Sequence, residues 1–305
     1  MLTDHPRPRR SGKWRPPWLL LGGIALASLS FAASATGDSA TALRLRHDHL
    51  RQQLAQNAFQ RPLVLLSSET DTVLQGEVFA EMAYTFDVVS AALRQPEQWC
   101  LVMVLHINTK YCQAVSVPKG TLLNVNIGTK APQDLGQTAR LAFSFSVPTA
   151  TVDYFEVLLD AADGPLGTSN YHIRLEAVAI PERRTFLHLT YAYSVNLLGH
   201  LALQTYLATV SAKKVGFTLL KGTAGADPEL IGGVRGVVER NTMRYYLAID
   251  SYFQAAPGAP AAQLQQRLQS WFSATEIYPR QLHETDRAAY LEMKHAEYQR
   301  QQASP

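Results

Sequence analysis

The sequence has few cysteines, little charge and no signature of a common catalytic site. Only two of its 305 residues are cysteine, Cys100 and Cys112. They do not form a C-x-x-C pair, which argues against a redox-active dithiol. There is no G-x-S-x-G, no H-E-x-x-H, no P-loop and no G-x-G-x-x-G after a strand pattern. The familiar hydrolase, metalloprotease and nucleotide-binding signatures are therefore missing. Gly232-Gly233-Val234-Arg235-Gly236 is only loosely like a phosphate turn, because no strand precedes it and no Lys/Ser pair completes it. It reads as the entry to a helix. His47 and His49, two apart on a helical stretch, point to different faces and make a poor metal pair. No metal or other cofactor is expected, and no internal repeat or low-complexity tract occurs.

Charged residues make up 17% of the chain and hydrophobic ones 47%, too apolar for disorder and enough for a core. The formal net charge of +3 is unevenly placed. Residues 1–35 hold five of the 28 basic side chains (Arg7, Arg9, Arg10, Lys13, Arg15) and one of the 25 acids (Asp4), leaving 23 against 24 in the remainder. Nucleic-acid binding needs a clustered positive surface. The body of the chain has no such excess, so nucleic acid is not an expected partner.

The basic cluster leads into an uncharged run from Arg15 to Asp38, with Ala33-Ser34-Ala35 at its end. A positive start, an apolar middle and an A-x-A site form the pattern of a secretory signal peptide. The alternative is an uncleaved membrane anchor, for which the run is short and diluted by Gly, Ser and Ala. Arg9-Arg10 lacks the Phe-Leu pattern of a twin-arginine signal, and no leader cysteine is present for lipidation. The expected location is the periplasm or the exterior, with peripheral membrane contact compatible with either. Two cysteines in an oxidising compartment are usually bonded. Twelve residues of straight strand would hold their Cα atoms about 40 Å apart, so a bond requires the segment between them to fold back, between a helix end and a strand. Such a bridge contributes about 3 kcal/mol in the chain-entropy model. Two buried free thiols are the alternative.

Along the exported part, residues 41–58 are helix-prone, with Leu43, Leu50 and Leu54 on one side. A strand follows over residues 73–84, with Gln75, Glu77 and Glu81 opposite Val78, Ala80 and Met82. Thr85 can cap a helix through Phe86, Val89 and Leu93 that stops near Pro96. Residues 138–147, 154–160, 170–180 and 185–196 then alternate, with turn signals at Asp163-Gly164-Pro165 and Pro181-Glu182-Arg183. This predicts an antiparallel meander with one face buried and one wet, placing His172 and His188 on the wet face. After Asn196 the period becomes helical over residues 197–212. A glycine-rich loop with Gly222, Gly225, Gly232 and Gly233 precedes a long helix over residues 234–253, on which Arg235 and Glu239 are spaced for an exposed ion pair. Helical pieces over residues 263–273 and 286–301 end the chain.

This order resembles the START-like (SRPBCC, helix-grip) superfamily, which includes polyketide cyclase/dehydratases, lipid-transfer domains and coenzyme-Q-binding proteins. The resemblance covers residues 70–254 and rests on element order. The segments Trp99–Cys112 and Gly232–Tyr246 look like those of uncharacterised exported bacterial proteins of this type. It implies an α+β fold in which a curved antiparallel sheet wraps around a long C-terminal helix, with extra N- and C-terminal helices. The divisions are residues 1–35 as signal peptide, 36–69 as N-terminal helix and linker, 70–256 as the START-like domain and 257–305 as a C-terminal helical extension. The family's groove between sheet and helix implies a hydrophobic small molecule or lipid as partner. Its candidate contacts are Phe143, Phe145, Phe155, Tyr191 and Tyr193 from the sheet, and Met243 with Tyr246 or Tyr245 from the helix; core filling is the alternative role for all of them.

Two polar sets accompany these. Read as a strand, residues 101–111 put His106, Asn108 and Lys110 on one face, where they can do acid–base work or hold an anionic head group. The bland alternative is a solvated strand face. Arg235, Glu239, Arg240 and Arg244 on the long helix either pair at the surface or supply an arginine to pin a carboxylate or phosphate at the cavity mouth. Binding without chemistry is the leading expectation. Its rivals are a cyclase/dehydratase- or hydrolase-like enzyme using His106 with Tyr191 or Tyr193, and an envelope interaction module acting through the C-terminal helices.

Overall fold

The computed structural model describes residues 30–196, 214–220 and 229–303. The helix expected over residues 197–212, and Gly222 and Gly225 of the glycine-rich loop, lie outside the described residues. So does the leader through residue 29.

Eight antiparallel strands form one sheet: β1 Leu63–Glu69, β2 Val73–Met82, β3 Thr109–Val117, β4 Gly120–Ile127, β5 Ala139–Ala150, β6 Tyr154–Asp163, β7 Thr168–Ile180 and β8 Arg184–Val195. Their spatial order is β1-β2-β8-β7-β6-β5-β4-β3. Each strand from β3 to β8 lies beside its sequence neighbour, a run that contains the meander expected over residues 138–196, while β2 closes against β8 with Val78 opposite Leu189. β1 is a strand in what the sequence suggested was linker. Its apolar run, Leu63 to Leu66, is too short for periodicity to separate strand from helix. The tight β3–β4 turn needs a left-handed backbone at Gly120, whose φ is +130°.

Between β2 and β3 the chain makes two short helices, α2 Phe86–Leu93 and α3 Pro96–Met103. Thr85 sits at the N-cap of α2 with extended backbone but makes no side-chain capping bond. Pro96 ends one helix and opens the next, because a proline at the first helical position loses no hydrogen bond. The segment read as strand 101–111 is therefore helix, then turn, with β3 starting only at Thr109. Cys100 in α3 and Cys112 in β3 are disulfide-bonded with Cα atoms 5.1 Å apart, so the segment does fold back between a helix and a strand.

The long helix, α4 Gly233–Phe253, lies across the inner face of the sheet. Leu187, Leu189, Leu175, Val157 and Val78 meet Val238, Met243 and Leu247 in the main core. The approach is closest at Gly76, where an added Cβ would come within 2.1 Å of Thr242 Oγ1; no side chain fits there. α4 carries no simple polar stripe, since Glu239, Arg240 and Arg244 are as buried as its apolar residues. Glu239 is not in a surface pair with Arg235. It accepts bonds from the Ser67 and Thr218 hydroxyls and from the Phe217 and Thr218 backbone N–H groups.

The outer face of the sheet is not wet where β2, β7 and β8 meet. Helix α1, Ser30–Ala55, packs Leu43, Leu50 and Leu54 against Phe79, Val178 and Phe186. These three share parity with polar neighbours, which hid an apolar patch inside a mostly polar face. His188 is consequently enclosed, whereas His172 keeps 40% of its side chain exposed. The C-terminal helices α5 Pro260–Glu276, α6 Pro279–Leu282 and α7 Arg287–Ala303 enter the main core through Leu268, Trp271, Leu282, Tyr290 and Met293.

Candidate ligand-binding site

A cavity of about 420 Å³ lies on the far side of α4, lined by polar and exposed side chains such as Arg61, Gln266 and Arg287. The larger one, about 670 Å³, opens between α4 and the inner face of the sheet. Its apolar wall comes from Ile127, Leu141 and Phe143 on β4 and β5, Leu166 from the turn before β7, and Val237 on α4. Such side chains face inward because strand alternation puts them on the helix side.

Five rings run in series along this cavity. Tyr171 stacks on Tyr193 with centroids 5.3 Å apart, Tyr193 lies 5.5 Å from Tyr191, Tyr191 lies 5.2 Å from Tyr245, and Tyr245 stacks on His106 at 4.8 Å. Tyr171 donates its hydroxyl proton to Thr168 Oγ1 at 2.9 Å. No hydrogen bond among the described residues engages the hydroxyls of Tyr191, Tyr193 or Tyr245. Burial pushes all three phenols above their ordinary range, so each stays neutral and offers an O–H.

His106 closes the series. Its Nδ1 accepts the backbone N–H of Asn108 at 3.2 Å, and its Nε2 has no partner. Burial first, then the positive charges of Arg244, Lys294, Lys130 and Lys110, hold the ring well below its ordinary pKa. A neutral ring that accepts at Nδ1 carries its proton on Nε2. His106 is thus an N–H donor with nothing to donate to. α7 fixes the turn that carries it: Lys294 donates to the backbone oxygens of His106 (3.1 Å) and Thr109 (2.7 Å), and Tyr290 donates to that of Leu105 at 2.8 Å. Burial, only partly offset by Glu297, lowers Lys294 to about 8.

The charged lining is Lys130, Arg240 and Arg244. Behind them Glu284 takes Lys130 at 2.8 Å and Arg244, with Lys214 at 3.9 Å. Burial works to raise the Glu284 carboxyl, but these cations outweigh it and hold it below the usual range. Arg240 also donates to the Val215 carbonyl at 3.2 Å.

Of the residues singled out from the sequence, Phe143, Tyr191, Tyr193, Tyr245, His106, Asn108, Arg240 and Arg244 line the cavity. Phe145, Phe155, Met243 and Tyr246 do not. Phe155 packs on Phe86 with centroids 5.8 Å apart, Met243 is fully buried in the core, and Tyr246 is buried on α4 near Arg61 and Asp250. Phe145 lies partly buried near the edge of the core. Lys110 turns away to Glu297 at 2.9 Å because the turn at 104–108 breaks the strand parity assumed for it. Arg235 leaves too, donating to Ser67 Oγ at 2.9 Å. Asn108 is spent on structure, its side chain donating to the Gly128 carbonyl. The reading missed Tyr171 and Lys130. Tyr171 shares parity with Ile173 and Leu175 and was legible; Lys130, in an irregular loop, gave no periodic signal.

Strand order, the α2–α3 insertion after β2 and a long helix laid against the inner face decide the architecture. This is the helix-grip arrangement, an antiparallel sheet laid around a long helix. No protein-family model and no curated protein sequence matches the chain. Solved structures similar to it include a START superfamily protein from Mycobacterium smegmatis, 14% identical over 46% of this chain and 93% of that one, with a TM-score of 0.31. The Zhui aromatase/cyclase from Streptomyces sp. R1128 is 11% identical over 66% and 94%, with a TM-score of 0.33. The human StarD13 lipid transfer and protein localization domain is 10% identical over 48% and 83%, with a TM-score of 0.29. At these TM-scores the likenesses carry no argument.

Proposed function

We propose that the protein binds a hydrophobic small molecule between the sheet and α4 and holds it without transforming it. The observation that carries this reading is the cavity itself. Its 670 Å³ falls within the ~300–1,000 Å³ of small-molecule sites, and its walls combine apolar side chains with a few unengaged polar groups. Core filling, the alternative role for these side chains, does not account for a space of this size in an otherwise close-packed interior.

An acid–base enzyme is the second reading, favoured by a neutral histidine in contact with the ring series. Binding is preferred because of where the proton sits. The Asn108 N–H occupies Nδ1, so Nε2 presents a hydrogen and not a lone pair toward a ligand, and no Asp or Glu is among the described residues lining the cavity. The export pattern at residues 1–35 supports a periplasmic or secreted binding protein.

Native mass spectrometry of protein purified under mild conditions tests all of this together. A retained small molecule, a mass reduced by the leader and a deficit of two hydrogens for the disulfide are expected. Absence of any co-purifying molecule, together with no saturable uptake of a fluorescent fatty acid, overturns the binding reading.

A further inference from the structure

Every charged side chain among the described residues lining the cavity is a cation: Lys130, Arg240 and Arg244. Lys130 and Arg244 act on His106, which presents an unpartnered Nε2–H in a ring 3% exposed, while Arg240 acts on Tyr193. Glu284, bonded to Lys130 and Arg244 from behind, offsets part of this charge and holds both side chains in place. The remaining length of the cavity is apolar and aromatic. A neutral apolar ligand would leave the buried His106 donor unmet, which is unfavourable.

We propose that the ligand is an amphipathic anion. Its carboxylate sits by Lys130 and Arg244 and accepts the Nε2–H of His106, while its hydrophobic body lies along Tyr245, Tyr191 and Tyr193. This deepens the binding reading above and depends on it. Planar delocalised guanidinium groups suit a carboxylate better than a single ammonium does, and charge-assisted bonds in a water-poor site are the strong class. The body can be an aliphatic chain or an aromatic ring system, and the common feature is the anionic end.

Calorimetric titration of the full chain with two probe sets separates these cases. One set is 2-naphthoate, 2-naphthamide and 2-naphthylmethylammonium; the other is dodecanoate, dodecanol and dodecylammonium. In at least one set the carboxylate should bind about ten- to a hundredfold tighter than the neutral probe, with the ammonium weakest. Preference for the naphthyl or the dodecyl carboxylate identifies the body. Lys130→Gln, at a partly exposed side chain, should cut carboxylate binding about tenfold and leave neutral binding within about twofold. Equal binding of carboxylate and neutral probes, a preference for the ammonium, or a carboxylate preference indifferent to Lys130→Gln overturns the anion assignment while the cavity reading stands. No binding in either set overturns both.

Discussion

A histidine is buried against each face of the sheet, His188 within a strand and His106 in the turn before β3, and the two are treated in opposite ways. On the outer face His188 lies between two carboxylates, Nε2 to Glu77 at 2.9 Å and Nδ1 to Glu176 at 3.1 Å, with Phe79 stacked on its ring at 4.1 Å. Burial works to lower its pKa, but the two carboxylates outweigh that and raise it. The network is closed: Tyr154 donates to Glu176 at 2.9 Å, Arg174 bridges Glu156 and Glu176, and His47 of α1 reaches Glu81 at 2.8 Å. On the inner face His106 sits among cations, stays neutral and has an idle donor. The outer face spends its histidine on two carboxylates, whereas the inner face keeps an unengaged N–H beside empty space.

The sharpest way to break this comparison is to remove each ring. His188→Leu leaves Glu77 and Glu176 facing each other without their shared partner and should cost about 3–5 kcal/mol in urea unfolding. His106→Phe keeps a ring for Tyr245 to stack on and deletes an unmet donor, so it should change stability by less than about 1 kcal/mol. Equal losses would dissolve the distinction. Next in size, a Cys100→Ser/Cys112→Ser double variant should lose about 3 kcal/mol, since the bond ties the inner-face turn between α3 and β3.

The pH dependence of stability should separate the faces by sign. The raised pKa of His188 means that its contribution is complete below the unfolded value of about 6.5 and is lost as pH rises through the folded one. His106 runs the other way. Above about 6.5 it costs nothing, and below that the unfolded chain takes a proton that the folded chain refuses until its own, much lower, pKa is reached. Urea midpoints against pH should therefore lose their alkaline decline in His188→Leu and part of their acid decline in His106→Phe. Each pKa unit corresponds to about 1.4 kcal/mol. The smallest contrast is between tyrosines. Tyr154→Phe breaks a bond to Glu176 and should cost about 1–2 kcal/mol, whereas Tyr191→Phe should cost about 0.5 kcal/mol or less.

Much of this architecture could be read from the residues. The alternation of Leu187, Leu189, Tyr191 and Tyr193 gave both the strand and the cavity face, and the spacing of Cys100 and Cys112 required the reversal that occurs. Other features were hidden for physical reasons. Periodicity assumes one dry side, yet α4 is enclosed by sheet, by residues 214–220 and by α5, so Arg240 and Arg244 looked like surface groups. The same enclosure made Tyr245 and Tyr246 indistinguishable until the helix had a rotation: one faces the cavity, its neighbour the opposite packing. His106 was assigned to the polar site through a strand that is not there, and it lines the cavity through a turn.

That turn has a consequence for assembly. The groups that fix the His106 backbone come from Tyr290 and Lys294, about 185 residues further along the chain. The sheet can pair and α4 can dock while this stretch still lacks its anchors. The His106 donor is therefore held in place only while α7 is docked, and loss or obstruction of that helix would leave it unset beside the cavity.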